Sequence, residues 1–245
     1  MANQQHVFAL YVSVDLASVD TMVSIEDPIL YHRIIRVLRL ACTQVVILFN
    51  NQIHAHAELV AVDKKKCTFV LRSVQHNIPL EPRITAVVPL LKGVDLEDAI
   101  SWVTQVGATD IQLLKTDYSQ RSWHGSGDLD KLVRSIVAVT EQSKQFCMPP
   151  IYEPMSLVQL LQVYKEALIF VGSPSGSAIA TNISILKTGK FMHIMFLAGP
   201  EADFSPREYE LLAQASVHFV SLGPTVLRSS TACQLGVGML RALLI

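Results

Sequence analysis

The pattern of apolar and polar positions changes character once along the chain. Over roughly the first 75 residues it is the short-period texture of strands. Val45–Phe49 is a continuous apolar run, and residues 55–62 and 67–74 follow it across the polar turn Asp63-Lys64-Lys65-Lys66. Short strands joined by polar turns predict a small barrel or sandwich. One segment interrupts them. Residues 31–40 carry apolar side chains at 34, 35, 37, 38 and 40 and arginines at Arg33, Arg36 and Arg39. That spacing predicts a helix with its guanidiniums along one face.

The two prolines of the stretch Asn77-Ile78-Pro79-Leu80-Glu81-Pro82 read as a linker, because proline fixes the backbone and cannot continue a ladder. The expected domains are therefore 1–76 and 83–245. Beyond the linker, apolar runs alternate with helical periods. Strands are predicted at 84–88, 110–114, 167–171, 192–197 and 218–222, and helices at 96–106 (ending at Gly107), 128–145, 206–214 and 231–244. Such alternation predicts a parallel sheet with helices on both faces.

Composition narrows the function classes. Half of the 245 residues are hydrophobic and 17% are charged, which supports a packed core and argues against disorder. A net charge of −1 excludes a global basic field, so any nucleic-acid binding rests on local clusters. Cys42, Cys67, Cys147 and Cys233 are far apart, with no CxxC. Neither zinc nor a disulfide framework is expected, and a cytoplasmic location fits. The opening residues lack a signal-peptide pattern, and no apolar run is long enough to span a bilayer.

Three predicted strands run into Gly/Pro loops: Gly172-Ser173-Pro174, Gly199-Pro200 and Gly223-Pro224. Ligands of open parallel sheets bind beyond the carboxyl ends of the strands, and glycines there admit close approach to backbone amides. The loops 172–176, 199–205 and 223–228 are the candidate pocket, or ordinary strand-to-helix turns. GxGxxG, the P-loop and the GxSxG elbow are all missing, which argues against a dinucleotide fingerprint, a phosphate-binding loop and a hydrolase. His54 and His56 share a strand face without a third metal ligand nearby.

At these loops the sequence resembles a known family. Residues 196–208, FLAGPEADFSPRE, resemble the "GPEGGFS.EE" motif of the bacterial 16S rRNA uracil-N3 methyltransferases, the RsmE family. Residues 221–232, SLGPTVLRSSTA, resemble its "LG.RILRTETA", and residues 32–40 its "H..RVLRL". Lys92-Gly93 with Gly107, residues 118–122 and Glu141-Gln142-Ser143 fall in family order.

The resemblance implies an α/β fold: a SPOUT trefoil-knot methyltransferase domain preceded by a small PUA-like β-barrel domain. It also implies a homodimer, S-adenosyl-L-methionine as cofactor, and methylation of N3 of a uridine in 16S rRNA of the small ribosomal subunit. Val171, Gly172, Leu197, Ala198, Gly199, Pro200, Leu222, Gly223 and Leu227 then form the cofactor site. Arg228 and Glu201 are the catalytic candidates. Arg228 either stabilises charge on the uracil oxygens or clamps a phosphate or its own loop. Glu201 either acts on the substrate or holds a loop, most simply by capping the following helix. Arg33, Arg36, Arg39, Lys92 and Arg121 are the RNA-binding candidates.

The match has departures. The second and third glycines of GPEGG are Ala202 and Asp203, the first arginine of the LG motif is Thr225, and the glutamate of RTETA is Ser230. Trp102, Gln105 and Gln145 replace charged family residues. If the missing glutamate were the general base, Ser230 would not replace it at neutral pH; Asp203 is a candidate substitute. The alternative function is a SPOUT-fold RNA-binding or ribosome-assembly protein with weakened catalysis.

Overall fold

The computed structural model describes residues 7–182, 185–186 and 191–244. Residues 1–6, the start of the segment expected to lack a signal-peptide pattern, lie outside them. The chain divides into two compact units, Met1–Ile78 with Thr140–Cys147, and Pro79–Val139 with Met148–Ile245.

The first unit is built on a half-barrel sheet of five strands: β1 (Ala9–Tyr11), β2 (Met22–Ile25), β3 (Val45–Phe49), β4 (Ile53–Val62) and β5 (Cys67–His76), in the order β1-β3-β4-β5-β2. The β1–β3 pair is parallel and the others are antiparallel. Leu10, Val46, Leu48, Leu59, Phe69 and Leu71 fill its core.

The predicted arginine helix is shorter and less regular than its spacing implies. Helix α1 (Pro28–His32) is capped by Asp27, whose side chain accepts the Leu30 N–H, and runs into a π-helical turn, Arg33–Val37. Leu38 N–H bonds back to Arg33 C=O and Leu40 N–H to Ile34 C=O, with Arg39 left-handed at φ +52°. That is a helix C-cap of the kind usually given to glycine. Arg39 therefore leaves the helical face, which corrects the expectation of three aligned guanidiniums. Arg33 is also committed, to Glu141, with Nη2 2.5 Å from a carboxylate only 3% exposed. Glu141 also accepts the Tyr11 N–H at 2.9 Å.

The second unit is a six-stranded, wholly parallel sheet in the order β11-β9-β10-β6-β7-β8. Its strands are β6 (Arg83–Pro89), β7 (Asp110–Lys115), β8 (Ile151–Ser156), β9 (Leu168–Ala178), β10 (His193–Leu197) and β11 (Val217–Ser221). The helices are α2 (Asp95–Gln105), α3 (Ser126–Ser143), α4 (Leu157–Val163), α5 (Pro206–Gln214) and α6 (Ser229–Leu243). Strand β8 and helix α4 were not read from the sequence.

Side chains alternate across the pleat. Ala86, Val88, Phe170, Ile194 and Phe196 face a cluster completed by residues of α2, α3 and α6. Val87, Ile169, Val171, Met195 and Leu197 face a second cluster with residues of α4 and α5. Helix α6 lies so close to the sheet that a Cβ on Gly236 would sit 2.2 Å from the Phe196 ring. Among the described residues no helix is long and apolar enough to cross a membrane.

Candidate active site

The carboxyl ends of β6, β9, β10 and β11 open on a cavity of about 650 Å3, within the ~300–1,000 Å3 typical of small-ligand sites. All three Gly/Pro loops reach it. Gly172 and Pro174 line it from β9, Ala198, Gly199, Pro200, Glu201 and Asp203 from β10, and Leu222, Gly223, Leu227 and Arg228 from β11. Leu91, Asp95 and Ser230 add wall that the sequence reading did not assign.

The first loop is not a turn that ends a strand, as the sequence suggested. It is a five-residue excursion within β9: β11 pairs Phe219 with Val171 and then Val220 with Ser177. The chain returns so tightly that a Cβ on Gly176 would lie 2.5 Å from the Val220 nitrogen. Any side chain there would force the two backbones apart.

Val171 and Leu197 do not line the cavity. Both are fully buried in the cluster beneath α4 and α5; period-2 alternation gives the wall to their neighbours Gly172 and Ala198 instead. Lys92 and Arg121 also lie off the wall, although Lys92 is bound to it. Its N–H donates to Glu201 Oε1 at 3.0 Å, while Arg121 Nη1 donates to Gly93 C=O at 3.0 Å. Glu201 thus ties the β10 loop to the segment after β6 and does not cap α5. That cap is Ser205, paired with Glu208 in a reciprocal capping box behind Pro206. Glu208 is buried and its second oxygen accepts the Asp117 N–H at 3.0 Å, which fixes the loop after β7 to the same helix end.

Asp203 has the left-handed backbone of the glycine it replaces, φ +64°. Its Oδ1 accepts the Phe204 N–H at 2.9 Å, and Tyr209 Oη lies 2.9 Å from both carboxylate oxygens. Burial and this carboxylate push the Tyr209 phenol up to about 12, so it remains a donor at neutral pH. With its oxygens engaged in this way, Asp203 does not fit the role of general base. Of the three carboxylates on the wall, Asp95 is the one for which no hydrogen bond or ion pair is recorded among the described residues.

Arg228 is exposed on the cavity at the N-cap of α6, and its carbonyl accepts the Ala232 N–H at 2.8 Å. The backbone is therefore fixed while the guanidinium stays open to a ligand. Thr225 and Ser230 also line the wall, so the uncharged replacements lie at the cavity itself. A second cleft, of about 800 Å3, opens at the amino ends of β6, β7 and β10. It is mostly apolar, and its Arg83 and Asp110 are already paired at 2.7 Å, so size alone does not select it.

Residues 79–241 match the family model described as RNA methyltransferase domain. The chain belongs to this family. Within it, the RNA methyltransferase-family chain is a divergent relative of the ribosomal RNA small subunit methyltransferase E proteins. It is 30% identical to that of Mycobacterium bovis over 169 residues, 65% of this chain and 63% of the relative. It is 25% identical to that of Rickettsia conorii over 217 residues, 86% of each. The aligned region thus spans under two thirds of the mycobacterial relative. The solved putative methyltransferase of Legionella pneumophila, in complex with bound S-adenosylmethionine, has the same fold: TM-score 0.86 at 22% identity, over 97% of this chain and 98% of that one.

Proposed function

We propose that this chain transfers a methyl group from S-adenosyl-L-methionine to N3 of a uridine in 16S rRNA of the small ribosomal subunit. The observation that carries this reading is the convergence of three separate Gly/Pro loops on one cavity beside Arg228.

The wall suits the cofactor. Leu91, Leu222 and Leu227 offer apolar surface to an adenine ring, and Gly172, Gly199 and Gly223 leave backbone groups within reach of its polar edges. When bound, the cofactor supplies an activated methyl on a sulfonium, so the protein's main task is alignment. The uridine must lose its N3 proton, and negative charge then spreads onto the uracil oxygens. Arg228 is assigned to stabilise that charge. Asp95, the open carboxylate, is assigned to receive the proton. Glu201 keeps a positioning role through the Lys92 amide.

The reading extends to an RNA-binding first domain, 1–76, and a catalytic domain, 83–245, with the knot and homodimer of the SPOUT class in the cytoplasm. Arg36 and Arg39 are exposed and are assigned to phosphate contact, while Arg33 is half-buried and partly neutralised by Glu141. Lys92 and Arg121 are assigned to RNA on the second domain. Asp203 turns its carboxylate onto Tyr209, which argues against its obstructing the donor's seat.

Two measurements test the proposal. Calorimetry should register S-adenosylmethionine binding, and small subunits from a strain lacking the protein should gain one N3-methyluridine when treated with it. Cofactor binding without methylation would return the binding-only alternative.

A further inference from the structure

The loop that follows β10 carries the chain's sharpest departure from its family's motif, and the surroundings of that departure are unusually complete. Asp203 stands at a glycine position yet keeps a glycine-like backbone, φ +64°. An L-residue there is strained unless its side chain is bound locally. The carboxylate has such bonds: the next residue's N–H and the Tyr209 hydroxyl, all at 2.9 Å. Tyr209 belongs to α5, whose first turn is fixed by Ser205, Pro206 and buried Glu208. Its ring packs edge-on against Phe204 at 5.7 Å. The Asp203 N–H also closes the loop onto Pro200 C=O at 2.9 Å. At the other end, a Cβ on Gly199 would come within 2.9 Å of Asp203 Oδ1, so the carboxylate occupies the space beside that glycine's backbone.

We propose that Asp203 and Tyr209 form a latch that holds the 199–204 loop against α5 in its donor-binding shape, making both of them positioning residues for S-adenosylmethionine. The inference rests on the proposed function for its ligand. Glycine at 203 satisfies the backbone but leaves the loop held to α5 only by the packing of Phe204; aspartate gives up glycine's freedom and adds a polar tether. Binding then requires no loop ordering at the moment of uptake, a cost that would otherwise be subtracted from affinity. The Tyr209 phenol, held above its ordinary range, stays protonated and keeps donating across the working pH range.

Tyr209→Phe removes only the hydroxyl and leaves the ring packed, so it tests the latch without endangering the fold. It should weaken S-adenosylmethionine binding about tenfold, the worth of one charge-assisted hydrogen bond. Asp203→Gly should weaken it similarly despite suiting the backbone, and Asp203→Asn, which keeps an acceptor oxygen, should recover most of the loss. In the ligand-free protein, amide exchange at residues 203 and 204 should rise about tenfold in the first two variants, with β10 unchanged. Wild-type affinity together with wild-type exchange in Tyr209→Phe and Asp203→Gly would overturn the latch. If the unaltered protein binds no S-adenosylmethionine, the proposed function falls instead, and the exchange rates alone decide whether the latch exists.

Discussion

The two ends of the parallel sheet are built from the same strands and use their polar residues in opposite ways. At the amino ends, charges are spent on one another and on the backbone. Arg83 grips Asp110 through two bonds of 2.7 and 2.8 Å, and Thr85 bonds His193 at 2.7 Å. Buried Arg241 bonds the carbonyls of Glu81, Pro82 and Gly107 between 2.9 and 3.2 Å. Burial lowers the pKa of Arg241 and of His193. At the carboxyl ends, the side chains of Arg228 and Asp95 face the cavity without a hydrogen bond or ion pair among the described residues. An unpaired charge near a low-dielectric wall costs stability, and it is kept where a ligand will complete it. One end of the sheet is therefore finished by folding, and the other waits for a ligand.

The sharpest way to break this contrast is to remove one arginine from each end. Arg228→Ala should lower methyl transfer by about two to three orders of magnitude, as loss of a transition-state donor does, while leaving the denaturant midpoint nearly unmoved. Substrate turnover within a few-fold of wild type would remove Arg228 from the chemistry. Asp95→Asn should cost about a hundredfold in kcat with donor affinity preserved; a loss confined to donor affinity would make Asp95 a binding residue. Arg241→Ala should do the reverse. It removes the donor shared by the carbonyls of Glu81, Pro82 and Gly107, so unfolding should become easier by about 3 kcal/mol, read in urea melts, with activity per folded molecule unchanged.

The same contrast explains what was legible in the sequence. The carboxyl-end loops are marked by Gly and Pro immediately after apolar runs, a pattern shared with ordinary strand-to-helix turns and made specific by the motif resemblance, and helix 206–214 is readable from Ser205, Pro206 and Glu208. The amino end is silent. Arg83, Asp110 and Arg241 are far apart in sequence, and nothing local marks a buried guanidinium on backbone carbonyls. Strand β8 is not legible in the sequence because it lies at the sheet edge beside β7, half exposed and without a continuous apolar run. Spacing misled at residues 31–40, since periodicity reports which positions share a face only while the helix lasts, and Arg39 lies beyond its end. At the site, the sequence makes a helix cap the simplest structural role for Glu201, because sequence shows proximity along the chain. Its partner, the Lys92 amide, is 109 residues away.

The smallest expected effect concerns a strongly shifted group beside the cavity. Tyr209 titrates near 12 in the folded protein, raised by burial and then by Asp203, against about 10 in an unfolded chain. A raised folded value means that folding favours the protonated phenol. Its contribution to stability is complete below pH 10 and is lost as the pH rises from there through 12. The slope from one proton cannot exceed about 1.4 kcal/mol per pH unit, and partial exposure of the ring reduces it. Urea midpoints of the wild type should therefore fall faster than those of Tyr209→Phe between pH 10 and 12, with the two running parallel between pH 7 and 9. Parallel curves throughout would mean that the phenol does not feel Asp203, and the carboxylate would then have to be counted with Arg228 and Asp95 among the groups left open for a ligand.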